Sequence, residues 1–122
     1  MDDQGAFPIA RLGEDVCLVA AGGELDSSTA WRLQDALGTA FRIGARRLIA
    51  DLTAVTYLDA DALAALSVSA NRIHREGGRL VIVTDDPWLV RLLDASALDG
   101  VAEVEPTLRN VVRGMAVAEL AE

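Results

Sequence analysis

The feature that most constrains the fold is the stretch of residues 48–66, in which an apolar run is followed by two aspartates and a second apolar run. Residues 47–52 predict a buried strand, and the apolar spacing from Asp61 onward predicts a helix. Asp59 and Asp61 therefore lie at a helix N-terminus, where a carboxylate meets unpaired backbone N–H groups and the positive end of the helix dipole. The segment Asp59-Ala60-Asp61-Ala62 is the first candidate for a functional site.

The rest of the chain continues the alternation of strands and amphipathic helices. Short apolar runs predict strands at residues 7–12, 16–21, 47–52, 80–83 and 101–104, and helical spacing predicts a helix after each of the last four. Strands that alternate with helices form a mostly parallel sheet with right-handed crossovers. We therefore expect an α/β fold of order β-β-α-β-α-β-α-β-α, with the opening hairpin adding an antiparallel strand at one edge.

Turn and capping residues predict the boundaries of these elements. Gly22-Gly23 is expected to end the second strand, and Ser27-Ser28 to cap the first helix. Gly77-Gly78 is expected to end the second helix. Asp86-Pro87 should begin the third, because proline suits the first helical position and aspartate the position before it.

Length and composition predict a single domain with a packed core. The chain has 122 residues, of which 52% are hydrophobic. We expect residues 1–6 to be a flexible N-terminus and residues 7–122 to form the domain. The N-terminus is acidic where a signal peptide would be basic, and no apolar run reaches the roughly 18 residues of a membrane span. With Cys17 as the single cysteine, these features predict a cytoplasmic protein that does not insert into membranes.

The charge balance excludes one class of partner. The formal net charge is −8, and all eleven basic residues are arginine. A nucleic-acid-binding protein needs a positively charged face, so we expect no nucleic-acid partner. The absence of lysine also removes Schiff-base and P-loop chemistry.

Catalysis by a nucleophile has little support in the sequence. His74 is the single histidine and falls in the last turn of the predicted second helix, where it complements the helix dipole. Cys17 lies within a predicted strand, and a free cysteine there is usually inert core. We therefore predict that the protein is not an enzyme.

The carboxylates leave an enzyme alternative open. Asp51, Asp59 and Asp61 cluster after the central strand, as in a metal or phosphate site, but a receiver domain would also need a late lysine. Asp59 and Asp61 alone are too few ligands for Mg²⁺ or Ca²⁺. Because helix capping also explains both, we expect at least one of them to cap the helix. We predict no metal and no cofactor.

Four segments carry a resemblance to a known family. They are Gly-Glu-Leu-Asp-Ser-Ser-Thr-Ala (residues 23–30), Leu-Ile-Ala-Asp-Leu-Thr-Ala-Val-Thr-Tyr-Leu-Asp (48–59), Gly-Gly-Arg-Leu-Val-Ile-Val (77–83) and Val-Arg-Leu-Leu-Asp-Ala-Ser-Ala-Leu-Asp (90–99). Together they resemble a STAS domain, the fold of bacterial anti-sigma factor antagonists. The resemblance implies a mixed, mostly parallel sheet of four to five strands with four helices mainly on one face. It also implies protein binding rather than catalysis.

The sequence departs from the family at the phosphorylated serine. In the family a serine of Asp-Ser-Ser-Gly at the head of the second helix is phosphorylated by an anti-sigma factor kinase, and the unphosphorylated form binds that kinase and frees the sigma factor. This chain has Asp59-Ala60-Asp61-Ala62 instead, so the phosphorylated position falls on Asp61, which has no hydroxyl group. The resemblance implies an anti-sigma factor or GHKL-type serine kinase as partner, bound by Asp26, Ser27, Asp59, Ala60, Asp61 and Ala62.

Three interpretations of Asp61 follow. In the first, Asp61 mimics the phosphorylated state, and the protein is a weak antagonist or decoy. In the second, the partner surface has co-adapted to Asp61, and the protein binds without phosphorylation control. In the third, the protein is a STAS subunit of another signalling or transport complex. We favour the second, because loss of the switch does not imply loss of binding. A monomer or weak dimer is expected.

Both tryptophans fall at predicted helix starts. Trp31 lies in the first turn of the first helix, and Trp88 in the first turn after Pro87. Exposed aromatic residues are enriched at interfaces, but tryptophan is usually largely buried. We predict that both pack in the core or at its edge.

Overall fold

The computed structural model describes residues 7–96, 98 and 100–120, with the backbone only for residues 116–120. The prediction of a flexible N-terminus falls on residues 1–6, outside the described residues. The elements follow the predicted order: β1 (Ile9–Arg11), β2 (Val16–Leu25), α1 (Ala30–Arg42), β3 (Arg47–Leu58), α2 (Ala60–Arg75), β4 (Arg79–Val83), α3 (Pro87–Asp94), β5 (Ala102–Glu105) and α4 (Leu108–Leu120).

The five strands form one sheet in the order β1-β2-β3-β4-β5. β1 pairs antiparallel with β2, and β2 to β5 pair in parallel. Between β2 and β5, each connection leads to the adjacent strand, always in the same direction across the sheet. Right-handed crossovers of this kind place their helices on the same face of the sheet. The predicted antiparallel edge strand and the mostly parallel sheet are confirmed.

Three helices cover one face, and α4 covers part of the other. Side chains of α1, α2 and α3 join the main core, among them Leu37, Leu66 and Leu89. The opposite face has a smaller core in which Val111 of α4 packs with Ile49 of β3. The prediction that the helices lie mainly on one face is therefore confirmed.

Two strands are longer than predicted. Gly22 and Gly23 do not end β2, which continues beside β3 until Leu25 pairs with Leu58. The register shifts twice here, and each shift adds one residue to β3. Gly23 adopts a φ of 76°, which L side chains rarely adopt. The two glycines therefore accommodate an irregular part of the sheet, and the pairing continues beyond them.

Candidate functional site

The predicted partner-binding residues lie at one edge of the sheet. β2, β3 and β4 end there and α1, α2 and α3 begin there, and we call this region the carboxyl edge. Asp26 and Ser27 follow β2, and residues 59–62 follow β3. The N–H of Asp59 donates a hydrogen bond to the C=O of Leu25 over 3.0 Å. This bond ties Asp59 to the residue that directly precedes Asp26, so the two predicted segments begin side by side.

Asp59 caps α2. Its backbone is extended, with φ −97° and ψ −178°, and its carboxylate accepts a hydrogen bond from the N–H of Ala62 over 2.9 Å. Its own C=O accepts from the N–H of Leu63 over 2.9 Å. This is the N-cap arrangement favoured by aspartate. The expectation that at least one of the two acids caps the helix is confirmed.

Asp61 is exposed in the first turn of α2. The positive end of the helix dipole stabilises a carboxylate in this turn, typically by about 0.3–1 kcal/mol. Ala60 is also exposed, whereas the side chain of Ala62 is only 2% exposed and belongs to the core. A partner at the start of α2 could therefore reach the side chains of Ala60 and Asp61 but not that of Ala62.

A compact turn around Asp26 connects β2 to α1. The Asp26 carboxylate accepts hydrogen bonds from the Ser28 N–H (2.9 Å), the Ser28 hydroxyl (2.7 Å) and the Thr29 hydroxyl (3.1 Å). The bonds from Ser28 and Thr29 lower the pKa of Asp26 below its ordinary value, and its partial desolvation opposes them. The carboxylate therefore stays ionised at this edge.

The prediction that Ser27-Ser28 caps α1 is wrong. The N-cap residue is Thr29, and its side chain makes no capping hydrogen bond. The Thr29 hydroxyl instead lies 2.9 Å from the C=O of Glu24. Ser28 is held by Asp26, and Ser27 is exposed. Ser28 thus stabilises the turn before the helix.

The start of α3 is as predicted. Asp86 is the N-cap residue, and its carboxylate accepts hydrogen bonds from the N–H groups of Trp88 (2.8 Å) and Leu89 (3.4 Å). Pro87 occupies the first turn, where its fixed φ suits the helix. This cap fixes the position of Trp88 at the carboxyl edge.

The prediction that both tryptophans pack in the core or at its edge is wrong for the core, because about half of each side chain is exposed. Trp31 is 51% exposed and Trp88 is 44% exposed. Tyr57, which the sequence did not single out, is 45% exposed and stacks on Trp88. The sequence signal for the exposure of the two tryptophans was their position, because each is the second residue of a helix. For Tyr57 it was the β-branched residues Thr53, Val55 and Thr56, which favour an extension of the strand.

The proposed acidic cluster does not form. Asp51 lies within β3, opposite Val83, with seven residues of strand between it and Asp59. Its carboxylate accepts hydrogen bonds from the N–H and hydroxyl of Thr53. No group of three or more His, Cys, Asp or Glu residues in the described part of the chain could hold a metal ion. The prediction grouped Asp51 with the other two acids because it ended the strand at residue 52, whereas β3 continues to Leu58.

Two other candidate residues lie away from the carboxyl edge. Cys17 is fully buried in the main core, as predicted. His74 is exposed in the last turn of α2, at the opposite edge of the sheet. The structure does not bring them together as a catalytic pair. Within the described ranges, no helix has the length and apolar character needed to cross a membrane.

Comparison with known proteins identifies the family. Residues 8–111 match the family described as STAS domain. The chain belongs to the STAS domain family. The match covers all five strands and the first three helices. The prediction made from the four sequence segments is therefore confirmed for the family and for the fold.

Solved STAS structures share the fold. An anti-sigma factor antagonist from Mycobacterium paratuberculosis has 26% sequence identity and a TM-score of 0.76, over 89% of this chain and 92% of that one. The anti-sigma factor antagonist SpoIIAA in its unphosphorylated form has 12% identity and a TM-score of 0.71, over 91% and 97%. SpoIIAA, a Bacillus cell fate determinant, in its phosphorylated form has 15% identity and a TM-score of 0.70, over 90% and 99%.

Proposed function

We propose that this STAS protein is a regulatory binding module of the anti-sigma factor antagonist type. Its partner would be an anti-sigma factor that is also a GHKL-type serine kinase, bound at the carboxyl edge in the cytoplasm by a monomer or weak dimer. The similar structures named as anti-sigma factor antagonists support this class. The observation that carries the proposal is the exposed carboxylate of Asp61 in the first turn of α2, the position at which the resemblance implies the phosphorylated serine of the family.

We further propose that phosphorylation does not switch the protein at this position. A phosphoserine would carry a charge of about −1.5 to −2 and three acceptor oxygens. Asp61 supplies a single permanent charge and two oxygens, and a kinase that acts on hydroxyl groups cannot modify it. Binding would then depend on a partner surface that has co-adapted to a carboxylate.

The test of this proposal restores the hydroxyl group. Native protein, Asp61→Ser and the neighbouring control Ala60→Ser are incubated with candidate anti-sigma factor kinases of the source organism and ATP, and their intact masses are measured. We expect only Asp61→Ser to gain one phosphate. A phosphate on native protein, at a residue near Asp61, would contradict the loss of the switch.

Binding of the same kinases separates co-adaptation from mimicry. In a co-adapted interface the Asp61 carboxylate accepts a hydrogen bond from the partner, so Asp61→Ala should weaken binding about tenfold or more, because bonds to charged groups contribute about 1.5–3 kcal/mol. A permanent mimic of the phosphorylated state predicts the reverse, since removal of the charge would tighten binding. Isothermal titration calorimetry measures both. Unchanged binding would exclude the start of α2 from the interface.

A further inference from the structure

Tyr57 and Trp88 form an exposed aromatic pair at the carboxyl edge. Their ring centroids lie 5.9 Å apart with 16° between the ring planes. Tyr57 is 45% exposed and Trp88 is 44% exposed. Tyrosine and tryptophan are among the residues that contribute most to binding energy at interfaces. A large aromatic surface is therefore left in contact with solvent beside the start of α2.

The backbone holds both members of the pair in place. The pairing of β3 with β4 ends at Asp51 and Val83, so Tyr57 extends beyond β4. The Asp86 cap fixes the backbone of Trp88 through its N–H over 2.8 Å. The side chains of Tyr57 and Trp88 are restrained by stacking on each other. Side chains that are already fixed lose little conformational entropy on binding. The pair is thus preorganised for contact with a partner.

The charges around this pair favour a cation. Glu24 pairs with Tyr57 in the register of β2 and β3, so the two side chains share a face of the sheet. Asp86 lies beside Trp88 through the cap. The acidic residues where β2, β3 and β4 end and the following helices begin are Glu24, Asp26, Asp59, Asp61, Asp85 and Asp86. Two arginines, Arg32 near the start of α1 and Arg91 one turn after Trp88 in α3, also belong to elements that begin at this edge. The carboxylates outnumber them, so the aromatic surface still attracts a positively charged side chain.

We propose that the Tyr57–Trp88 pair is a docking platform for an arginine side chain on a basic surface of a protein partner. A guanidinium group is planar and weakly hydrated, and it stacks on tyrosine and tryptophan more readily than an ammonium group does. The surrounding carboxylates balance its charge. The inference rests on the proposed function for the kind of partner and adds the chemistry by which that partner is recognised.

Arginine and lysine peptides test the platform without the natural partner. Hexa-arginine and hexa-lysine carry the same charge, but a guanidinium group can both stack on an aromatic ring and pair with a carboxylate through two hydrogen bonds. The part of the arginine preference that depends on Tyr57 and Trp88 therefore measures the stacking. We expect hexa-arginine to bind native protein about two- to fivefold more tightly, which is the size of a cation–π contribution at an exposed site. The dissociation constants are measured from NMR shifts of the backbone amides at the carboxyl edge. Equal affinities, or no binding of either peptide, would overturn the platform.

Three variants test which residues cause the preference for hexa-arginine over hexa-lysine. Tyr57→Thr and Trp88→Ala should each reduce the arginine preference towards one, while they leave hexa-lysine binding largely unchanged. Ile43→Ala is the matched control, because Ile43 is 55% exposed at the other end of α1. It should retain the full preference. A preference that survives both aromatic substitutions, in variants whose NMR spectra show the native fold, would place the arginine elsewhere and overturn the proposal.

The two proposals fail in different ways. If no candidate kinase phosphorylates Asp61→Ser or binds native protein, but the arginine preference holds and depends on Tyr57 and Trp88, the proposed function is wrong and the platform stands. If a kinase binds and phosphorylates as proposed, but hexa-arginine shows no preference, the platform alone is wrong.

Discussion

Gly78, at the turn between α2 and β4, lies against three other parts of the chain. A Cβ added there would lie 2.8 Å from Cγ2 of Ile73, 2.9 Å from Cε1 of Phe41 and 3.1 Å from the C=O of Arg46. Phe41 has little freedom to move, because the Arg46 guanidinium lies 4.2 Å from its ring centroid. The pair Gly77-Gly78 ends α2 as predicted, but only the packing distinguishes the roles of its two members.

Substitution of Gly78 by alanine should therefore destabilise the protein. We expect Gly78→Ala to lower the free energy of unfolding by about 1–3 kcal/mol, the usual cost of overpacking. Gly38→Ala is the matched control, because a Cβ there meets only Nη1 of Arg42, at 3.5 Å. Since alanine is the better helix former, the control should gain up to about 1 kcal/mol. Urea denaturation measures both, and an equal effect at the two positions would contradict the close packing.

Asp26 predicts a pH dependence of stability. Folding lowers the pKa of Asp26 below 3.8 because Ser28 and Thr29 donate hydrogen bonds to its carboxylate. The resulting stabilisation is fully present above pH 3.8, and it is lost as the pH falls through the lower pKa of the folded state. We expect Asp26→Asn to be less stable than native protein at neutral pH, and this difference to shrink below pH 3.8. Urea denaturation across this range measures it, and a constant difference would be contrary evidence.

The two ends of α2 show that local signals predict a helix well. Its start is fixed by a single aspartate cap and its end by Gly77, whose φ is 88°. Both signals lie within a few residues of the boundary that they control. The start of α1 was predicted wrongly because Asp26 competes for the hydroxyl groups of Ser28 and Thr29. A serine before a helix can therefore bond to a turn as well as to the helix.

The cap of α2 can be tested separately from the neighbouring acid. We expect Asp59→Ala to destabilise the protein by about 0.5–2 kcal/mol, because it removes the bond to the Ala62 N–H. Asp59→Asn should cost much less, since asparagine caps about as well as aspartate. Thermal unfolding of the two variants gives the comparison. If asparagine were as damaging as alanine, the negative charge rather than the capping bond would stabilise the helix.

Charge is distributed unevenly over the whole molecule. Acidic residues gather at the carboxyl edge, among them Glu24, Asp61 and Asp85. Arginines gather at the opposite edge, where β3 and β4 begin and α1 and α2 end: Arg42, Arg46, Arg47, Arg72, Arg75 and Arg79. The ion pairs Arg47–Asp15, Arg72–Glu76 and Arg79–Glu103 are exposed or half-exposed. Such pairs contribute little to stability. Repulsion within the net charge of −8 should therefore be the larger electrostatic effect.

Added salt should consequently stabilise the protein. An increase from about 10 mM to 0.1 M shortens the screening length from about 30 Å to about 10 Å, which weakens repulsion between distant acids. We expect the melting temperature to rise over this range, and to rise less in Asp85→Asn, which removes one exposed acid. Differential scanning calorimetry measures both. A fall in melting temperature would mean that the ion pairs contribute more than the repulsion.

The sequence by itself determined the order of the elements, the parallel sheet with its antiparallel edge strand, the caps of α2 and α3, and the burial of Cys17. These features follow from residue spacing and from capping chemistry, which act within a few residues. Only the tertiary structure decided that β2 continues past Gly22-Gly23 to Leu25 and that β3 continues beside it to Leu58. It also decided that Tyr57 and both tryptophans stay exposed. Those outcomes depend on which distant segment lies alongside each residue, and local signals such as the β-branched residues before Tyr57 or the position of a tryptophan at a helix start do not determine that.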